Sequence, residues 1–337
     1  MPDSGFDMER FRQYYFSKNN IIITPEISKL SDDVIRWIKL NFLGGIIYGR
    51  SRMGKTWSLY YMERVLHEKL GDDVPVIVWD VESRRPSDNA KFFYSSLLDD
   101  MGCRDYTPRD SSYVLKRKII NKLSLRGLNT KCRNVVVLAD EAQNLSSRDL
   151  SFMIDLYNHL CKNNVQMITL LFGDHRLIEL KQDLILNGEE QLVARFMRRE
   201  HQYKGVTSSL SLMSILRNME TSFPLQCGGH SLHISEDFFP VAYQNGWKIA
   251  DMAGDIWDAF FEICDQSKNG MEHIPMEYLM KALMYLFMEY GAYGERPVDV
   301  ITRKHINEAV AETGYNFSPM VPAIEKTAGR KKGKLIS

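Results

Sequence analysis

Five cysteines in 337 residues, Cys103, Cys132, Cys161, Cys227 and Cys264, are too few and too scattered to staple the chain. Their odd number and the lack of any C-x-x-C pair argue against a disulfide framework and a zinc cluster, and point to a reducing compartment. No apolar run approaches the length that crosses a bilayer, and the start, Met1-Pro2-Asp3-Ser4, lacks a basic head followed by an apolar stretch. The expectation is a cytoplasmic protein with no membrane partner. An excess of one charge is also missing. Lys and Arg number 43 against 43 Asp and Glu, so no global field draws the chain onto nucleic acid, and any such contact must come from a local patch. No repeat at solenoid or propeller period is present, and the one biased tract is the basic end Gly329-Arg330-Lys331-Lys332-Gly333-Lys334.

What is present is a chain 44% hydrophobic and 26% charged, enough for one good core and a smaller satellite. Residues 1–40 read as an arm and one helix over Ser31–Leu40, with Val34, Ile35 and Ile38 at helical spacing. Gly44-Gly45-Ile46-Ile47-Tyr48 is a short apolar run ending in glycine, ahead of a stretch from Lys55 to Lys69 that is free of Gly and Pro. That predicts strand, loop, helix. Further strands are predicted at Val74–Asp80, Asn134–Ala139 and Gln166–Phe172, with helices over Lys91–Met101 and Asp149–Cys161 between them. Apolar runs that do not alternate, interleaved with helices, indicate a parallel sheet covered on both faces, an α/β domain over residues 41–205. Beyond it strand signals fade. Met-rich, aromatic, helix-periodic stretches over 237–263 and 275–290 predict a small helical domain over 206–318, followed by a basic tail over 319–337.

Gly49-Arg50-Ser51-Arg52-Met53-Gly54-Lys55-Thr56 matches G-x-x-x-x-G-K-[ST] in full and lies between a predicted strand and a predicted helix. In such a loop backbone N–H groups surround phosphate oxygens, Lys55 reaches the β and γ phosphates of ATP, and Thr56 ligates Mg2+. The strand ending at Ala139 runs into Asp140-Glu141. The first acid would hold Mg2+ and the second would orient the attacking water, which makes hydrolysis the expectation. Asp174, after Leu171-Phe172-Gly173, is either a polar sensor near the γ-phosphate or a cap on the next helix. Arg195, Arg198 and Arg199 offer an arginine for a neighbouring subunit or a solvated basic face. Seven basic and no acidic residues between Ser111 and Ala139, among them Lys116, Arg117 and Lys118, together with Arg84, Arg85 and Lys91, could neutralise DNA phosphates or could form an exposed helix face.

With these motifs in this order, the sequence resembles the AAA+ ATPases that regulate DNA transposition, the TnsC, TniB and MuB proteins. The carrying segments are Gly49–Thr56, Asp140-Glu141-Ala142-Gln143-Asn144-Leu145, Leu170–Arg176 and Gln191-Leu192-Val193-Ala194-Arg195-Phe196. The likeness spans roughly residues 20–290. It implies an AAA+ core with a helical lid and an ATP-dependent ring or helical filament of like subunits around double-stranded DNA. It also implies a link between a target-selection protein and a transposase, with Arg195 as the trans-acting finger. Asp174 stands where a threonine is common and Lys248 where a sensor arginine is common. The chain's shortness resembles the regulators of CRISPR-associated transposons. Two other readings of the residues stay open: a different AAA+ machine, such as a replication loader or secretion-type ATPase, and an adaptor that binds nucleotide without hydrolysing it.

Overall fold

The computed structural model describes residues 20–83, 89–222, 225–227, 230–266 and 273–315. The start of the arm, the tail over 319–337, and Arg84 and Arg85 lie outside the described residues. Two compact units divide between Gly205 and Val206.

In the first unit the chain runs through α1 (Pro25–Lys39), β1 (Gly44–Tyr48), α2 (Lys55–Leu70), β2 (Val76–Asp80), α3 (Ala90–Asp100), α4 (Ser112–Leu128) and β3 (Asn134–Asp140). A 3-10 turn (Ala142–Asn144) leads to α5 (Ser147–Lys162), β4 (Gln166–Gly173), α6 (Arg176–Leu186), α7 (Glu190–Phe196) and β5 (Glu200–Gln202). The strands form one parallel sheet in the order β2-β3-β4-β1-β5. Its continuous apolar strands follow from covering both faces. On β3, Val135, Val137 and Ala139 pack against α3, α4 and α5 through Phe93, Leu97, Leu115, Ile119 and Leu156. The intervening Val136 and Leu138 face the other way, with Leu59, Met62 and Leu66 of α2. Period-2 geometry sends successive side chains to opposite faces, so a strand buried on both sides needs an apolar residue at every position.

Two sequence expectations need correction, and two further elements complete the unit. The first helix starts at Pro25, six residues before the predicted Ser31, because Thr24 caps it through Oγ1 at 3.1 Å from the Ile27 N–H and Pro25 occupies the first turn, where its missing N–H costs nothing. Nor does this helix stand ahead of the core: Leu30, Val34 and Trp37 are buried in the same cluster as β3 and β4. Helix α4 fills a stretch read only for its charge, and β5 went unnoticed because three residues, Glu200-His201-Gln202, carry no apolar pattern.

The second unit holds α8 (Ser209–Ser222), an antiparallel hairpin of β6 (Leu225–Cys227) and β7 (His230–Leu232), α9 (Ile234–Phe238), α10 (Pro240–Gln244), a 3-10 turn (Ile249–Met252), α11 (Ala253–Gln266), α12 (Met276–Tyr290) and α13 (Arg303–Glu312). The hairpin and a bridge between Val206 and Ile274 correct the purely helical expectation. The continuous periodicity read over 237–263 is broken into short pieces. Phe239 leaves helical space before Pro240, as a residue preceding proline tends to, and Gly246 turns the chain at φ 87°. Ile249, Met252, Ile256, Ala259 and Phe260 are nevertheless buried. Among the described residues no helix is long and apolar enough to cross a membrane.

Candidate functional site

The carboxyl ends of β1, β4 and β3 lie side by side, with β4 between the other two, and the loops leaving them bring together residues distant in sequence. From β1 the chain enters Gly49–Thr56. Gly54 adopts φ 104°, a conformation that glycine takes without strain, and α2 begins at the next residue. The first-turn N–H groups of α2 have no helical partner, and no acidic side chain occupies that turn. Met53 is buried in the core and anchors the loop, while Ser51 and Arg52 are exposed and Arg50 is half-buried.

Lys55 folds back into the loop, its Nζ donating to the carbonyls of Gly49 and Arg50 at 2.9 Å each. Burial lowers its pKa, and the carboxylates of Glu141, Asp140 and Asp174 pull it the other way. A half-buried ammonium held by two carbonyls, with three carboxylates near it on other loops, has no anionic partner in its own loop. At the end of β3, the Asp140 carboxyl lies near the Thr56 hydroxyl, which favours its ionised form. Burial raises the Asp140 pKa; Glu141 and Asp80 add to the rise, and the bonds from Thr56 and the Glu141 N–H oppose it. Asp80 is the register partner of Asp140 on β2, a neighbour that sequence reading missed because sixty residues separate the two.

Glu141 is exposed and adopts φ 49°, a left-handed conformation seldom taken by a residue with a side chain. Gln143 Nε2 donates to its carboxylate. Asp174 follows β4 and precedes α6. Its Oδ1 accepts the N–H of Arg176, the first residue of α6, at 2.9 Å, while its charge acts on Lys55. Burial opposes its ionisation, yet the bonds from Arg176 and the nearby Lys55 outweigh burial and hold its carboxyl below the usual range.

The residues fit Mg-ATP. Thr56 and Asp140 form a hard oxygen pair on adjoining elements, and Lys55 lies inside a loop that ends on an open helix start. Among the described residues no cluster of three or more His, Cys, Asp and Glu could hold a metal, so an ion at this pair would take its other ligands from phosphate and water, as Mg2+ commonly does.

The other described candidates of the first unit lie against different partners or are exposed. The Arg195 guanidinium lies 3.9 Å from the centre of the Tyr157 ring and that of Arg199 lies 3.7 Å from the Phe42 ring, whereas Arg198 is exposed. Lys116 pairs with Asp155 at 3.1 Å, Lys118 bonds Asp110 and the Asp105 carbonyl, and Lys91 donates to the Pro108 carbonyl. Arg117 is exposed. Lys248 belongs to the second unit, where its N–H donates to Asp251 Oδ2 at 2.9 Å ahead of the 3-10 turn.

Residues 43–180 match the family model described as an AAA domain. The fold is the AAA+ P-loop fold. The structure of the Aeropyrum pernix ORC2 protein in ADPNP and ADP complexes aligns with a TM-score of 0.56 at 14% identity, covering 86% of this chain and 69% of that one. The ADP form of the same protein aligns at a TM-score of 0.54 and 15% identity, covering 86% and 68%. No curated protein matches in sequence. The AAA segment contains Gly49–Thr56, both acids at the end of β3 and Asp174 at the end of β4.

Proposed function

We propose that this chain binds and hydrolyses ATP with Mg2+ and that, in the nucleotide-bound state, it assembles with copies of itself on double-stranded DNA as a regulator of transposition. The observation that carries the proposal is the meeting of Lys55, the Thr56–Asp140 pair and Glu141 at one edge of the sheet. Mg2+ at the Thr56–Asp140 pair would offset negative charge on the phosphates. Lys55 leaves its two carbonyl acceptors for phosphate oxygens, and the open N–H groups of the α2 start bind the anion. Glu141, exposed beside Lys55, accepts a proton from water aligned with the terminal phosphate.

The DNA and transposition parts of the proposal are supported by the order of four motifs: the phosphate loop, Asp140–Leu145, Leu170–Arg176 and Gln191–Phe196. A target-selection protein and a transposase would be the partners, and a guanidinium from the neighbouring subunit would complete the site. Of the three arginines, Arg195 and Arg199 sit close on the Tyr157 and Phe42 rings of their own subunit, whereas Arg198 is exposed and lies 5.9 Å from the centre of the Phe42 ring, which favours Arg198 for the contact across subunits.

The test compares wild type with Glu141→Gln and Lys55→Ala by ATP turnover and by electron microscopy on a random-sequence duplex. Wild type is expected to hydrolyse ATP and coat DNA. Glu141→Gln should coat DNA while turnover falls by roughly 10²–10⁴-fold. Lys55→Ala should do neither. Wild type that binds ATP and never enters DNA would sink the DNA reading and leave an AAA+ machine acting on protein.

A further inference from the structure

Gln143 has no part in holding phosphate or metal, yet its carboxamide connects two of the three loops of the site. Its Nε2 donates to the Glu141 carboxylate, and its Oε1 accepts the Asp174 N–H at 3.1 Å. That N–H belongs to the peptide joining Gly173 to Asp174. The carbonyl of the same peptide accepts the N–H of Gly49, the first residue of the phosphate loop, at 3.2 Å. A single peptide plane is therefore bonded on one side to the phosphate loop and on the other to Gln143, and bonds in series through one polarisable group reinforce one another. The backbone makes room for the arrangement. A Cβ on Gly173 would stand 2.4 Å from Gln143 Oε1, so any side chain there would push the carboxamide away. Asn144 pins the other side of the same 3-10 turn, its Nδ2 donating to the Val81 carbonyl at 2.8 Å beyond β2.

We infer that Gln143 is a positioning residue for Glu141: through the Gly173–Asp174 peptide it ties the direction of the Glu141 carboxylate to the start of the phosphate loop. Glu141 needs such a hold. It is exposed, its backbone is in the left-handed region, and its carboxylate has no other side-chain donor among the hydrogen bonds of the described residues. A general base that swings freely spends little time in line with its water, and a misplacement of an ångström can lower turnover about a hundredfold. The loop that receives the nucleotide is one bonded step from the peptide that orients Gln143, so a shift of Gly49 on binding would be felt at Glu141. The inference rests on the hydrolytic role of Glu141 proposed above.

The test is a double-mutant cycle on the full chain with Gln143→Ala and Gly173→Ala, following kcat, KM and ATP affinity together with amide hydrogen exchange at Asp174. Gln143→Ala is expected to lower kcat roughly a hundredfold, to leave KM and ATP affinity within about threefold, and to speed exchange at Asp174. Gly173→Ala should reproduce the loss by displacing Gln143. The other atoms near its new methyl are the flexible end of Leu177. In the double variant only Leu177 is left for the methyl to displace and the carboxamide is already gone, so the loss in kcat should match that of Gln143→Ala alone. Unchanged kcat in Gln143→Ala, or losses that multiply in the double variant, would overturn the positioning role while leaving ATP hydrolysis intact. Absence of turnover in wild type, with and without DNA, would remove the hydrolytic reading itself and Gln143's role with it.

Discussion

At the carboxyl edge of the sheet, Lys55, Thr56, Asp140, Glu141 and Asp174 arrive on three loops and act on one another. On α4, Lys116 and Lys118 arrive on one helix, and each is tied to an acidic partner on a neighbouring element. The first group is left with a desolvated cation and a carboxylate raised by burial. The second is a set of solvated charges already matched. Convergence from distant segments, with charges left incompletely matched, marks a place prepared for a ligand. A high local count of lysines marks a surface until their partners are known.

The largest expected effect that would sharpen this contrast is at Lys55. Lys55→Met should remove ATP binding, seen as loss of the nucleotide-induced rise in Tm, while the nucleotide-free Tm holds or rises because a half-buried ammonium is gone. A marked fall in the nucleotide-free Tm would mean that Lys55 is a structural cation and would weaken the contrast.

A second effect concerns pH. The Asp140 carboxyl titrates above its ordinary 3.8, so in that window the native state holds more protons than the unfolded chain. Stability without metal should therefore fall as pH climbs from about 3.8 through the raised value, and Asp140→Asn should abolish that part of the fall. Mg2+ requires the carboxylate, so Mg-ATP affinity should weaken as pH drops through the same window. Urea melts of the two proteins across pH, with and without Mg2+, measure both signs. Identical profiles would show that Asp140 does not sense burial.

The smallest effects are expected on α4. Lys116→Ala and Lys118→Ala should change stability by no more than about 1 kcal/mol, since partly solvated pairs contribute little. Arg117→Ala should weaken duplex binding and lower its salt slope by about one, because it is the exposed member of the three. If the lysines weaken DNA binding as much as Arg117 does, the contrast between matched and open charges breaks.

The sheet was legible in the sequence because non-alternating apolar runs mark strands buried on both faces, and the candidate site was legible as two local patterns, G-x-x-x-x-G-K-T after β1 and two acids at the end of β3. The starts of helices were less legible. Thr24-Pro25 is a cap signal, but no apolar run stood directly behind it to draw attention. β5 is three residues long, and the hairpin over 225–232 carries no alternating stretch long enough to stand out.

By itself the sequence determined which residues could hold phosphate and metal, since glycine freedom, an ammonium and carboxylates are properties of residue types and short spacing. Only tertiary structure decided which of them meet. β4 is the third strand of the sheet in space, but it sits between β1 and β3, and that insertion brings Asp174 to Lys55 and the Gly173 peptide to Gln143. Strand order is set by burying two apolar faces over the whole sheet, a sum over dozens of side chains that no window of sequence contains.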